Sequence, residues 1–310
     1  VSSQSVRVVV TGGTGFIGRP LCQRLVSLGH TVTVLTRDPA AARARLDPPV
    51  SLIGWEGFRG PTDGLLAALG DSDVIINLAG APIAAGRWTP QAKARLRNSR
   101  EGTTSALVAA LSKLRARPVL LISASAIGYY GPRQDEALTE ESPSGSGFLA
   151  SLCREWEAAA RAAERLGVRV VLPRIGVVLG RHGGALAKML PAFRLGLGGP
   201  VGSGAQWMSW IHLDDLIELL LFLLNEAAGG PVNATAPHPV TNREFARTLG
   251  RMLRRPAWAR VPAPVLRILL GEMAEELLLT GQRVLPHRAE AMGFRFRYPT
   301  LPEALHAILP

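Results

Sequence analysis

Lysine is almost absent from this chain. Of its 310 residues only Lys93, Lys113 and Lys188 are lysine, so the net charge of +11 rests on arginine. The arginines are scattered, often beside glutamate as at Arg154-Glu155 and Glu164-Arg165, and form no dense patch that would follow a phosphate backbone. No nucleic-acid partner is expected; the charge reads as solvated helix faces, with steering of an anionic ligand as the alternative. Cysteine is as scarce, and Cys22 and Cys153 both fall in helical patterns, which excludes a disulfide framework. No apolar run reaches the ~18 to 20 residues that cross a bilayer. The longest, 216–224, carries Glu218, so no membrane association is expected. The opening residues lack the charged and apolar regions of a secretory signal. A cytoplasmic protein is expected, although a trimmed organelle transit peptide would leave no trace. Internal repeats are absent too.

What the chain does have is a strand, a glycine loop and a helix at its start. Val8-Val9-Val10 is an apolar β-branched run, glycines follow at Gly12, Gly15 and Gly18, and 19–28 carries Leu21, Leu25 and Leu28 along one helical side. Gly12 suits a tight turn off the strand, Gly15 a close approach of backbone amides to a pyrophosphate, and Gly18 close packing of helix on strand. The helix N-terminus then faces the phosphate charge. A second strand, 31–36, ends at Thr36 and Arg37. An acidic residue at this end accepts the adenine ribose 2′-hydroxyl, whereas an arginine receives a 2′-phosphate. Arg37, with Arg19 as a second clamp, favours NADP(H); the competing reading gives the ribose to Asp38.

Strands are expected at 50–53, 73–77, 118–123 and 168–175, with helices at 63–69, from the Thr89 cap to about 114, and at 148–166. Alternation of this kind predicts an α/β, Rossmann-type doubly wound parallel sheet. Leu78, Ala79 and Gly80 lie past the fourth strand as a wall for the adenine and ribose side of the cofactor, and Asn77 reads as a pin for that strand's end. Arg100 is a phosphate-contact candidate with a plain surface role as the alternative, and Arg174, at the end of the sixth strand, is assigned to the cofactor. Ser125, Tyr129 and Tyr130 follow the fifth strand where ligands bind in this architecture. Beyond Gly176 the alternation stops. There Gln206, Trp207 and Trp210 read with the 196–204 glycines as a lid or cleft wall, Asp214 or Asp215 as a helix start, and 231–235 as a returning strand. His212 reads as a packed or capping element, and His182 as a substrate contact or substitute acid. The expected division is a nucleotide-binding domain, 1–176, rejoined by a strand near 231–236, and a smaller, mostly helical substrate or lid domain, 177–310.

These residues resemble the extended short-chain dehydrogenase/reductases, and within them an atypical epimerase group, some of whose members are called cell-division inhibitor homologues. The likeness rests on Thr11-Gly-Gly-Thr-Gly-Phe-Ile-Gly18, Asn77-Leu-Ala-Gly80, Ser123-Ala-Ser-Ala-Ile-Gly-Tyr-Tyr-Gly131, Trp210-Ile-His-Leu-Asp-Asp215 and Gly281-Gln-Arg-Val-Leu-Pro286. It implies an NAD(P) fold whose phosphate loop includes Gly12, Thr14, Gly15, Phe16, Ile17 and Gly18. It also implies substrate in a cleft towards the C-terminal part and Ser125 as the serine that orients a carbonyl. The superfamily's acid is a tyrosine with a lysine four residues on, whose charge favours phenolate. Here the three tyrosines, Tyr129, Tyr130 and Tyr298, are followed at that spacing by Arg133, Gln134 and Pro302. The helix that should carry the pair opens Phe148-Leu-Ala-Ser-Leu-Cys-Arg154 instead. Two functions therefore stand: an NADP(H)-dependent oxidoreductase or epimerase on a small unknown substrate, or a non-catalytic NADP(H) sensor read by a partner. A homodimer is compatible with either.

Overall fold

The computed structural model describes residues 5–46, 49–58 and 60–309. Its main sheet is built from β1 (Arg7–Thr11), β2 (Thr31–Thr36), β3 (Ser51–Gly54), β4 (Val74–Asn77), β5 (Leu120–Ser123), β6 (Arg169–Ile175) and β7 (Gly230–Ala234). They run in the order β7-β6-β5-β4-β1-β2-β3, all parallel, and the short strand Ser125–Ala126 adds an eighth beside β6. This is the doubly wound Rossmann order extended by one strand.

Period-two alternation places the core. Val8 and Val10 of β1 point to one face, with Leu21 and Leu25 of α1 (Gly18–Ser27) and the apolar residues of the helix Leu213–Asn225. Val9 points to the other face, among Leu65, Leu69, Leu107 and Leu111. All four residues of β4 and of β5 are buried, as a parallel strand covered by helices on both sides must be.

After Gly176 the chain does not stay in a separate lobe. Val177–Gly180 forms a strand, unforeseen in the sequence, that pairs in parallel with Trp210–His212. The helix Gly184–Arg194 follows it, and helix Leu213–Asn225 and β7 then return to the nucleotide layer. Trp210 is fully buried in a second core with Phe193, Phe245 and Leu305, so it is a core residue and not a cleft wall. The helix after it is capped by His212, whose Nδ1 accepts the Asp214 amide hydrogen at 3.0 Å. Burial holds the His212 pKa below its ordinary value, which suits an acceptor nitrogen. The cap at Thr241 is as read, its hydroxyl accepting from the Glu244 amide.

The helix expected from Thr89 is interrupted. It runs as Pro90–Arg97, loosens into a π turn over Asn98–Gly102, and resumes as Thr103–Ser112. A second π segment spans Glu275–Leu279. Such wide turns push side chains out of helical register and are frequent at functional sites.

Candidate functional site

The glycine loop meets the wall past β4. Gly12 has φ +69°, and a Cβ there would stand 2.6 Å from the Leu78 carbonyl oxygen, so Leu78, Ala79 and Gly80 lie directly beside the loop. At Gly18 an added Cβ would stand 2.2 Å from the Gly12 carbonyl, which leaves no room for one. Gly15 differs: its only close neighbour would be that same oxygen at 3.1 Å, and the remaining side is open. The amides of Phe16 and Ile17 make no hydrogen bond among the described residues. Two unpaired donors at the start of α1, over a glycine without Cβ, fit a pyrophosphate. Thr14 stands half-buried in the same loop, while the Phe16 ring packs on the Gly183 turn.

The end of β2 separates the two readings of the ribose site. Asp38 caps the helix Pro39–Arg43, its carboxylate accepting from the Ala41 amide at 2.9 Å. Thr36 Oγ1 bridges to the Asp38 backbone. Arg37 is exposed and has no ion pair among the described residues. The carboxylate is thus engaged and the guanidinium free, which fits a 2′-phosphate. Arg19 lies with Arg45, Arg181 and His182 on a cavity of about 580 Å³ whose lining does not include Arg37. This places His182 on the α1 side of the loop, apart from the segment that carries Ser125.

Asn77 is the expected pin. Its Oδ1 accepts from Thr11 Oγ1 at 2.6 Å, and its Nδ2 donates to Thr104 Oγ1 and Ser123 Oγ. Two assignments past β5 and β6 need correction. Arg174 is only 2% exposed and forms a two-pronged ion pair, Nε and Nη2 donating to the two oxygens of Glu157 at 2.8 and 2.9 Å. It cannot also hold a cofactor, because its fork is filled by a carboxylate. Tyr130 is fully buried, its hydroxyl donating to Asn233 Oδ1 at 2.7 Å and accepting from Arg174 Nη1 at 2.9 Å. Burial pushes this phenol up to about 12 against the opposing pull of Arg174, and with its proton held by Asn233 and no exposed surface it stands out of a ligand's reach. Ser125 belongs to the same knot, donating to Glu157 Oε1 at 2.7 Å. With its proton held there, Ser125 keeps only lone pairs for any other partner. Tyr129 is half-buried, its ring 3.5 Å from the Arg174 guanidinium carbon.

The helix Phe148–Arg161 begins beside this knot. A half-buried carboxylate from the second π segment, Glu276, accepts the amides of Phe148 and Leu149, both at 2.8 Å. Around this first turn lie the apolar Trp88, Phe148, Leu152 and Met273, with Ala81, Leu149 and Leu277 against them, and the charged ends of Lys93 and Arg97 sit 4.9 and 5.1 Å from the Phe148 ring. Leu149 and Cys153, one turn apart on that helix, flank Gly128. Arg100, delivered by the first π turn, presses its guanidinium on Gly80 and donates to the Ala81 carbonyl at 3.0 Å.

Comparison with known proteins decides the family. Residues 8–235 match the NAD dependent epimerase/dehydratase family, and residues 261–308 match a domain of unknown function, DUF1731. The chain belongs to the NAD-dependent epimerase/dehydratase family. It is 45% identical over 97% of its length to the chloroplastic epimerase family protein SDR39U1 homologue of Arabidopsis thaliana, covering 86% of that protein. It is 42% identical to the epimerase family protein Mb2239 of Mycobacterium bovis, over 96% of both chains. The crystal structure of human epimerase family protein SDR39U1 with NADPH superposes with a TM-score of 0.85 at 38% identity, covering 97% of this chain and 98% of the other. No helix among the described residues is long and apolar enough to cross a membrane.

Sequence reading missed Glu157, Glu140 and Glu276 in this family member. Glu157 had a signal: it stands one turn after Cys153 on the apolar stripe of Leu152, Cys153, Trp156 and Ala160, where a carboxylate requires a buried partner. Glu140, which accepts from the Asn233 and Arg288 amides, and Glu276 lie in segments without periodicity, and only the fold brings them to their donors.

Proposed function

We propose that this chain binds NADP(H) in preference to NAD(H) and is a slow oxidoreductase or epimerase-type enzyme on a small substrate. The observation that carries the cofactor choice is the division of labour after β2, with Asp38 capping a helix and Arg37 unpaired. The NADPH in the human relative's structure supports it. A charge-assisted pair to phosphate contributes about 1.5 to 3 kcal/mol, or roughly one to two decades of affinity. Titration should therefore show NADPH binding about 10- to 100-fold tighter than NADH, with most of the difference lost in Arg37→Ala. Equal affinities in the wild type would refute the reading.

The turnover expectation follows from the helix opening. The helix that should carry the superfamily's acid and its activator opens Phe148-Leu149-Ala150-Ser151-Leu152-Cys153 instead, and Tyr130 is sealed off. General acid–base participation is typically worth about 10² to 10⁴ in rate. NADPH oxidation with sugar-nucleotide or steroid carbonyl substrates is expected to be slower by that order than in enzymes that keep the pair. Ser125→Ala should leave NADPH affinity within a few-fold. Fast turnover unaffected by Tyr129→Phe would show that another acid serves the site. The apolar first turn also favours a second reading, a non-catalytic NADP(H) sensor, distinguished by tight cofactor binding without turnover on any carbonyl substrate.

A further inference from the structure

Arg174 is buried and Arg100 half-buried beside this site, and only the first has an anion. Arg174 is matched by Glu157. Arg100 has no carboxylate partner among the described residues: its donors reach the carbonyls of Ala81 at 3.0 Å and Leu96 at 3.4 Å and the Ser99 hydroxyl at 3.4 Å, and its guanidinium lies 5.4 Å from the Trp156 ring. Burial depresses the Arg100 pKa, and the one titratable group acting on it is Cys153, whose thiol burial pushes up to about 12. The thiol is therefore neutral and compensates nothing. A guanidinium held in a low-dielectric wall without a counter-charge is costly unless a ligand supplies one.

Its location says which ligand. Leu78 and Ala79 meet the glycine loop at Gly12, whereas Arg100 touches the same segment further on, at Gly80 and Ala81. Gly80 is exposed, and Cys153 ties Arg100 to the helix whose first turn bears Phe148 and Leu149. The guanidinium thus stands between the segment past β4 and the helix Phe148–Arg161, against Gly80 and Ala81 on one side and Trp156 on the other.

We propose that Arg100 is the receptor for an oxyanion carried by the substrate, so that the substrate class is a small carbonyl or hydroxy compound bearing a carboxylate or phosphate. This rests on the reading that NADP(H) occupies the lane from the glycine loop to Gly80. Arginine stays protonated and offers a planar fork, so it orients and charge-matches the acid group without transferring a proton. Half-burial beside the Trp156 ring makes such a pair stronger than one in open water.

The test uses the full chain saturated with NADPH, with malonate and inorganic phosphate as probes, followed by calorimetry and by the fluorescence of bound NADPH. At least one probe should bind saturably, and Arg100→Met should weaken it by about tenfold or more, while NADPH affinity stays within threefold. Arg100→Gln, which keeps a donor for the Ala81 carbonyl, gives the same readout if the methionine variant folds poorly. Failure of the wild type to bind NADPH would overturn the cofactor reading. Normal NADPH binding with no probe binding, or with probe binding that survives Arg100→Gln, would overturn the oxyanion receptor. A tenfold loss of NADPH affinity in the Arg100 variants would assign the guanidinium to the cofactor and overturn it as well.

Discussion

Gly15→Val should abolish NADPH binding and leave a folded protein, whereas Gly18→Ala should damage the fold itself. A Cβ at Gly15 meets only the Gly12 oxygen at 3.1 Å, a contact that small adjustments relieve, but it projects into the space above the free Phe16 and Ile17 amides. Two charge-assisted bonds from those amides are worth about 3 to 6 kcal/mol together, so affinity should fall by about 10² to 10⁴. At Gly18 the added carbon would stand 2.2 Å from backbone at Gly12, and backbone cannot rotate away as a side chain does. Circular dichroism and NADPH titration on the two variants check both halves. A folded Gly15→Val protein with normal NADPH affinity would reduce Gly15 to a turn residue.

Glu157→Leu should destabilise the protein by about 3 to 5 kcal/mol, because it leaves the Arg174 guanidinium buried and unpaired. For a chain of this size that corresponds to a fall in Tm on the order of 10 °C. The loss should exceed that of any exposed pair here; Arg7 with Asp73 at 2.9 Å and Arg24 with Glu218 at 2.7 Å are solvent-screened and contribute little. Adding Arg174→Met to Glu157→Leu should recover much of the stability, since the uncompensated charge is then removed. Thermal unfolding of the two single variants and the double variant measures this cycle. A Glu157→Leu protein as stable as the wild type would show that the Arg174 charge is compensated elsewhere.

The nucleotide half was legible because its signals are local. Glycine spacing, alternating apolar strands and the Thr89 and Thr241 caps depend on residues within a few positions of one another, and the strands β1 to β6 appear where those signals lie. Asn77 pins its strand end and β7 returns to the sheet as expected, although Asn77 does so through Thr11, Thr104 and Ser123, which lie 66, 27 and 46 positions away. Beyond Gly176 the signals weaken: Val177–Gly180 is a four-residue strand whose partner lies over 30 positions away, and Trp210 reads alike as a core residue or a cleft aromatic until its neighbours are known.

The sequence by itself determined the fold class, the glycine loop between β1 and α1 and the absence of a Tyr-x-x-x-Lys pair, since each is a matter of which residues stand at fixed short spacings. Only the tertiary structure decided the fates of the charged and hydroxyl side chains. Arg37, Arg100 and Arg174 look alike in one dimension, yet one is exposed and free, one is half-buried without an anion, and one is locked to Glu157. Tyr129 and Tyr130 are adjacent, but only the second is sealed, by Asn233 from β7 and Arg174 from β6. The reason is physical: a charge or a hydroxyl takes its role from how far it is withdrawn from water and from what partner meets it there, and those partners come from strands and helices remote in the chain.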